Sequence, residues 1–444
     1  METKKLNKIG MKYFYCKIKK KEIRQKLVLI ICLILMIKLN SQTFTKISNK
    51  EFENSNFKEL SFLQEELKNV QIIGLGEALH NMGGTYTAKV KMVKYLHKKC
   101  GFDVIAFESP FYNSSKVNEL IKKGQANKDS INYNISGVWS TSETKELFEY
   151  IIETQKTDRP LEFIGFDESF FASTDTQDLT KDYANFINNL EEENKISFKL
   201  DSTFYNAINT VADRSYSFSK RAPQDTLLLY NKFREIRKEL SKIEKKDNLF
   251  NDFWSEVTNN LQSVYRKNYK RSNRDKRMAS NVKFLANKKY PNKKIMLWAA
   301  TSHLLSNPNS IKNYRVSKKY NKKKMGVYLK KEYGERYYVM AFTPFKGKFG
   351  FKGMLGLGKT KVRSKKGGLE YYINNKYDSD FVYLSLKNKD NINEIKKNKI
   401  GRSNIVWLEG MRYKGEIMDI PNAVDGIFYL KDERLVNSKK ISSN

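Results

Sequence analysis

The sequence predicts an α/β protein: a central sheet of mostly parallel or mixed strands flanked by helices, with a helical insertion forming a cleft. Four short apolar runs, at 70–75, 104–107, 161–166 and 295–300, are rich in β-branched and aromatic residues and too short for helices, as buried strands are. Strand, helix and strand then follow one another within about 35 residues at the first two runs, the spacing of a βαβ unit, which requires parallel strands. Between the third and fourth runs the alternation gives way to long polar stretches of helical spacing.

In chain order, the amino terminus comes first. Lys17, Lys19, Lys20, Lys21, Arg24 and Lys26 precede an apolar run at 27–37, followed by Asn40, Ser41 and Gln42. That is the order of a secretory signal, and the run is shorter than the roughly 20 residues a membrane-spanning helix needs. Residues 1–42 are therefore expected to direct export to the periplasm or the medium. The segment would anchor the chain to a membrane only if it were retained. Cys16 and Cys32 would leave with the signal, so Cys100 remains without a disulfide partner and reads as a small core residue.

The α/β core begins in 43–172. After the first strand, the stretch 85–99 places Tyr86, Val90, Val93 and His97 on one helical face, and Gly101 supplies the stop. A second helix, at 142–154, leads into the third strand. The segment 173–287 is the helical insertion, clearest at 227–243 and 250–265, and it would wall a cleft over the sheet. The core resumes in 288–444, with strands expected at 337–342, 381–386, 405–408 and 426–430. Gly347, Gly350, Gly353, Gly356 and Gly358 are irregularly spaced along a loop, which argues against a phosphate cradle although Lys359 and Thr360 follow the last of them.

Composition bounds the function. Of 444 residues, 40% are hydrophobic and 13% aromatic, enough apolar surface for a folded protein. The formal net charge of +34 arises from 83 Lys and Arg against 49 Asp and Glu, but the basic residues are spread along the whole chain. Without a nucleic-acid motif, they read as a solvated surface, and no specific nucleic-acid partner is expected.

Polar residues gather where the strands end. The first strand runs into Glu77 and His80, the second into Glu108, the third into Asp167 and Glu168, and the fourth into Thr301, Ser302 and His303. Loops leaving the carboxyl ends of parallel strands form the ligand crevice, so separate segments would deliver these groups to one place. A neutral imidazole accepts a proton from water near neutral pH, and a carboxylate on its other nitrogen fixes the tautomer. Water activated by His80 could attack a carbonyl, with Thr301, Ser302, His303 or backbone amides as donors to the oxyanion. Asp167 is divided between supporting this site and making a turn. His97, in the last turn of its helix, reads as a cation that suits the helix dipole and carries no chemistry. Trp139 and Trp298 read as packing residues. No His-Glu-x-x-His pair or other compact ligand spacing is present, so no metal or cofactor is expected.

The segment Gly76-Glu77-Ala78-Leu79-His80, a basic Lys89, and Gly101-Phe102-Asp103-Val104-Ile105-Ala106-Phe107-Glu108 together resemble the leading signature of the erythromycin esterase family. The likeness continues through Val138-Trp139 with Glu143, Ile164-Gly165-Phe166-Asp167, and Arg277-Met278-Ala279 with Asn281. It extends through Leu297-Trp298-Ala299-Ala300-Thr301-Ser302-His303 and Gly368-Leu369-Glu370 to Val424-Asp425-Gly426-Ile427-Phe428. The resemblance implies a mixed α/β fold and metal-independent ester hydrolysis without a covalent enzyme intermediate. It makes His80 the base, Glu77 and Glu108 the carboxylates that orient it or the water, Lys89 a supporting charge, and His303 a substrate or transition-state contact. It also implies a small-molecule ester or lactone substrate, macrolides among them, and hence antibiotic resistance. Three positions depart from the pattern: Asn81 where Gly is usual, Gly84 where Glu is frequent, and Ala300 where the first of two histidines stands. These departures leave open a non-catalytic exported protein that holds a glycan or other ligand on the same scaffold.

Overall fold

Nine strands form one sheet in the computed structural model, which describes residues 44–170, 176–212, 226–243, 248–266, 274–312, 324–350, 360–407 and 415–437. The strands are β1 (Thr45–Ile47), β2 (Ile72–Glu77), β3 (Phe102–Pro110), β4 (Glu162–Asp167), β5 (Lys294–Ala300), β6 (Tyr337–Phe349), β7 (Thr360–Arg363) and β8 (Phe381–Ser385), with a ribbon of β9 (Arg402–Ser403) and β10 (Glu416–Ile417) lying outside the sheet and β11 (Gly426–Glu433) completing it. Their order in space is β1-β8-β11-β6-β2-β5-β3-β4, with β7 on the far end of β6. All pairings from β11 to β4 are parallel, while β1, β7 and β8 pair antiparallel.

Parallel strands must be covered on both faces, which is why β2 and β4 are buried at every position. Part of that cover comes from α1 (Gly83–Cys100), α2 (Phe111–Lys122) and α3 (Ser142–Thr154). Between β4 and β5 the chain forms α4 (Thr176–Asn194), α5 (Ser202–Ala212), α6 (Thr226–Ile243), α7 (Leu249–Arg266) and α8 (Arg274–Phe284). An aromatic cluster holds this helical layer together, with Phe186 stacked on Trp254 at 5.2 Å and Tyr183 against the same indole. The chain then returns to β5, between β2 and β3, and passes through α9 (Thr301–Leu304) and α10 (Met325–Tyr333) to β6 on the opposite side of β2. In an open parallel sheet such a change of direction, here at the carboxyl edge of β2 and β5, is where a ligand crevice is expected.

Residues 45–444 form one compact unit, whereas the unit Met1–Phe44, which carries the expected signal, lies outside the described residues except for Phe44. Among the described residues no helix is long and apolar enough to cross a membrane. Gly353, Gly356 and Gly358 also fall outside them.

Several boundaries differ from the sequence expectation. The run at 405–408 is not a strand where it is described: Ile405 and Val406 are fully buried but unpaired in any ladder, and the short β9 precedes them. An apolar run signals burial, and here loop packing supplies it instead of a sheet. Strand β3 continues past Glu108 to Pro110 with a register shift after Phe107, so Glu108 sits in a bulge instead of beyond the strand. His97 is not a helix-end cation. Its Nδ1 lies 2.6 Å from the Tyr150 hydroxyl and its Nε2 lies 3.0 Å from the Arg159 carbonyl, and burial together with the Arg159 charge lowers its pKa. It is a buried neutral ring bridging α1 to the chain before β4. Cys100 is free and buried, as expected.

Close packing of α9 on α10 leaves no space for a side chain at Gly326, where a Cβ would overlap the Leu304 carbonyl. Gly326→Ala is expected to destabilise the fold by about 1–3 kcal/mol, the usual cost of overpacking, as a lower urea midpoint with unchanged slope.

Candidate active site

Glu77 ends β2 in a fully buried position, opposite Ala300 of β5 and Phe342 of β6. A carboxylate in that position needs partners, and the fold supplies them for both oxygens. Oε2 meets the ammonium of Lys89, which α1 carries on its inner face and which also sits 4.0 Å over the Trp298 ring. Oε1 accepts a 3.0 Å hydrogen bond from the Trp139 indole and lies 3.1 Å from Nδ1 of His80. Burial alone would raise the Glu77 pKa, but the Lys89 charge and the His80 contact outweigh it and hold the group at about 2. Burial pulls Lys89 down to about 8 against the attraction of Glu77, so it stays charged at neutral pH.

For His80 the balance is similar. Burial would lower its pKa, yet the hydrogen bond and charge of Glu77, with the charge of Glu108 behind them, raise it above its ordinary 6.5. The imidazole is 31% exposed and stands edge-on to Trp139, with ring centroids 5.2 Å apart. Because an ionised Glu77 can only accept, Nδ1 carries the proton and Nε2 is left as the basic nitrogen.

The loop carrying His80 is pinned from several sides. Asn81 has a left-handed backbone (φ 66°), which accounts for the glycine usual at this position. Its amide donates to the Tyr86 hydroxyl at 2.8 Å, and its carbonyl accepts from Gly350 at 2.9 Å. The Trp407 amide donates to the Ala78 carbonyl at 3.2 Å.

Beside this pair lies a second charged cluster, organised by Arg274 at the start of α8. Its Nη2 donates to Glu108 at 2.7 Å and to Asp167 at 2.7 Å, its Nε reaches Asp167 at 3.0 Å, and its Nη1 lies 3.4 Å from Nε2 of His303. Glu108 further accepts from the Ala300 amide at 3.2 Å. Burial would lower the Arg274 pKa, but Asp167 and Glu108 raise it well above the usual guanidinium value. His303 lies 2.7 Å from Asp275 through Nδ1 and 3.4 Å from Glu108 through Nε2. Asp275 also accepts from the Met325 amide, and the His303 contact overcomes its burial to hold it at about 2.

The structure thus joins Glu77, His80 and Lys89 in one group and Glu108, Asp167 and His303 in another. Glu77, not Glu108, hydrogen-bonds the imidazole; Glu108 acts on His80 only through its charge. Thr301 is fully buried against Gly76, and its hydroxyl has no hydrogen-bond partner among the described residues. Ser302 is half-buried in the same turn and makes no side-chain hydrogen bond among them. Trp139 and Trp298 are core residues as expected, although both touch the site. Arg274 and Asp275 were not found from the sequence, because one more basic residue among 83 carries no contrast. The available signal was indirect: acids closing two buried strands require a cation. Among the described residues no group of three or more His, Cys, Asp and Glu is arranged to hold a metal ion.

Fold and site define an α/β protein with an acid–base cluster at the carboxyl edge of a parallel sheet. The chain belongs to the erythromycin esterase family, whose sequence profile matches residues 97–432. That match starts beyond Glu77, His80 and Lys89, so the reading of these three rests on their geometry. YbfO of Bacillus subtilis (strain 168), a protein named as a candidate hydrolase, is 27% identical over 319 residues, covering 66% of this chain and 69% of its own length. Two of the solved structures that share the fold illustrate it, each at 16% identity. One is a succinoglycan biosynthesis protein (TM-score 0.68, 89% of this chain and 96% of that one). The other is a histidine-to-asparagine mutant of erythromycin esterase EreC in its open conformation (TM-score 0.59, 88% and 98%). Family membership and the named relative support a hydrolase.

Proposed function

We propose that this chain is an exported hydrolase that cleaves a carboxylic ester or lactone with water activated by His80. The observation that carries this reading is the contact of His80 Nδ1 with the buried Glu77 carboxylate, which leaves Nε2 free to accept a proton. In the first step Nε2 takes a proton from water while the water oxygen bonds to the acyl carbon, and the carbonyl π electrons move to its oxygen. In the second step the oxyanion collapses, the C–O bond to the alkoxide breaks, and the imidazolium returns its proton to that oxygen. Glu77 stabilises the imidazolium between the steps, and Lys89 keeps Glu77 ionised. Arg274 and His303 lie at the neighbouring strand ends as donors for the oxyanion or a polar substrate group. No residue forms an acyl intermediate and no metal is required. Macrolide lactones are candidate substrates through the family, and hydrolysis of a macrolide would give antibiotic resistance; export rests on residues 1–42.

The test is turnover of a panel of esters and lactones, macrolides included, across pH. Because only neutral His80 is a base and its pKa is raised, kcat/KM is expected to rise with pH through a midpoint above 6.5. A rate independent of pH across neutrality would remove His80 as the base. Tight ligand binding without turnover of any compound would favour a binding protein.

A further inference from the structure

The first turn of α1 follows the His80 loop directly, yet its N-cap residue, Met82, gives no side-chain cap. The cap comes from the other end of the chain. Glu433, the last residue of β11, is buried, and its Oε1 accepts from the Gly84 amide at 2.6 Å and from its own neighbour, the Arg434 amide, at 2.9 Å. Its Oε2 accepts from the Thr85 hydroxyl at 2.6 Å, and the Thr85 amide lies 3.3 Å from both oxygens. The surrounding backbone closes in the same way: Gly83 donates to the Arg434 carbonyl at 2.8 Å, Met82 bridges Leu435, and Gly350 links Asn81 to Val436. Gly84 makes this approach possible, since a Cβ there would stand 3.0 Å from Glu433 Oε1 and 3.0 Å from the Asp432 carbonyl.

No cation among the described residues pairs with Glu433, and burial raises its carboxyl to about 7 against the hydrogen bonds it accepts. A buried acid without a cation is costly to keep, and here only the hydrogen bonds it accepts offset that cost. Between Glu77, fixed in β2, and the Glu433 clasp, fixed to β11, only seven residues intervene before Thr85, and His80 is one of them. We infer that Glu433 is a positioning residue for catalysis: by clasping the first turn of α1 it fixes the loop that holds the His80 imidazole against Glu77. This rests on the reading of His80 as the base, but its test does not depend on turnover.

The three histidines make the experiment direct. Ring resonances of isotope-labelled histidine are followed against pH in the wild type, Glu433→Gln and Thr85→Ala, with His80→Ala giving the assignment and buried His97 as internal control. When the clasp is weakened, His80 moves away from Glu77, so its titration midpoint is expected to fall toward the ordinary imidazole value while His97 stays unchanged. On any ester that is turned over, kcat is expected to fall about 10- to 100-fold with KM nearly constant, the effect of a misplaced catalytic group. A mere strut would lower the unfolding midpoint of both variants and leave the His80 titration in place, and that result overturns the inference. If Glu433→Gln does not fold, Thr85→Ala, which removes one bond of the clasp, decides alone. If no ester is hydrolysed, the hydrolase reading fails while the His80 titration still decides the role of Glu433.

Discussion

His80→Ala is expected to lower kcat on any ester this protein hydrolyses by about a hundred- to ten-thousand-fold, the usual share of a general base. The fold should remain. The imidazole is 31% exposed, and Glu77 keeps both Lys89 and the Trp139 indole when the ring is removed, so no buried charge is left alone. A drop in kcat with KM and unfolding midpoint nearly unchanged identifies a group that acts in the transition state. Because water is the proposed nucleophile, hydrolysis in isotopically heavy water should place one heavy oxygen in the acid product and trap no acyl-enzyme at any time. Wild-type and His80→Ala rates that coincide would end the hydrolytic assignment of this site.

The part of the site around Glu77 was legible in the sequence because it is local. Glu77 and His80 are three residues apart across the end of one strand, so a βαβ reading brings both to one rim, whereas Lys89 on the next helix is marked only by the family resemblance. Glu108 was legible as an acid after an apolar run, but its partner was not, since Arg274 is 166 residues away at the foot of a helix. The Glu433 cap, 349 residues from Gly84, was hidden for the same reason. Periodicity finds apolar faces and strand ends; it does not say which distant charge meets which. The sheet behaves likewise. The runs that became β2, β4 and β5 are apolar because parallel strands are buried on both faces, whereas three-residue β1 carries too little pattern to detect. At 405–408 the same pattern misled, because burial in a loop and burial in a sheet select the same residues. His97 was misread for a related reason: its helix-end position suggested a charge, and the burial that removes the charge comes from residues far along the chain.

Lys89→Met is expected to be the most destabilising single change at the site. Removing one member of a buried ion pair strands the other, at a cost of about 3–5 kcal/mol. Both Glu77 and Lys89 have fully buried side chains, so solvent screening does not reduce this. The sign follows from Glu77. Its folded pKa of about 2 lies below the ordinary 4.5, so its contribution is fully present above pH 4.5 and is lost as pH falls toward 2. Urea unfolding of wild type and variant should therefore differ most at neutral pH and converge between pH 4.5 and 2; a gap that is constant over that window would mean lost packing, not a stranded charge. Lys89 points the opposite way, since burial lowers it to about 8 and part of the gain on Glu77 is spent keeping the ammonium charged. The net value of the pair is consequently small, and the double variant Glu77→Gln/Lys89→Met, which leaves no buried charge, should regain much of the lost stability. It should not regain turnover, because a neutral amide cannot stabilise the His80 imidazolium. A double variant that folds well and hydrolyses nothing would show that the buried pair is retained for the chemistry of the imidazole, since stability alone can be met without it.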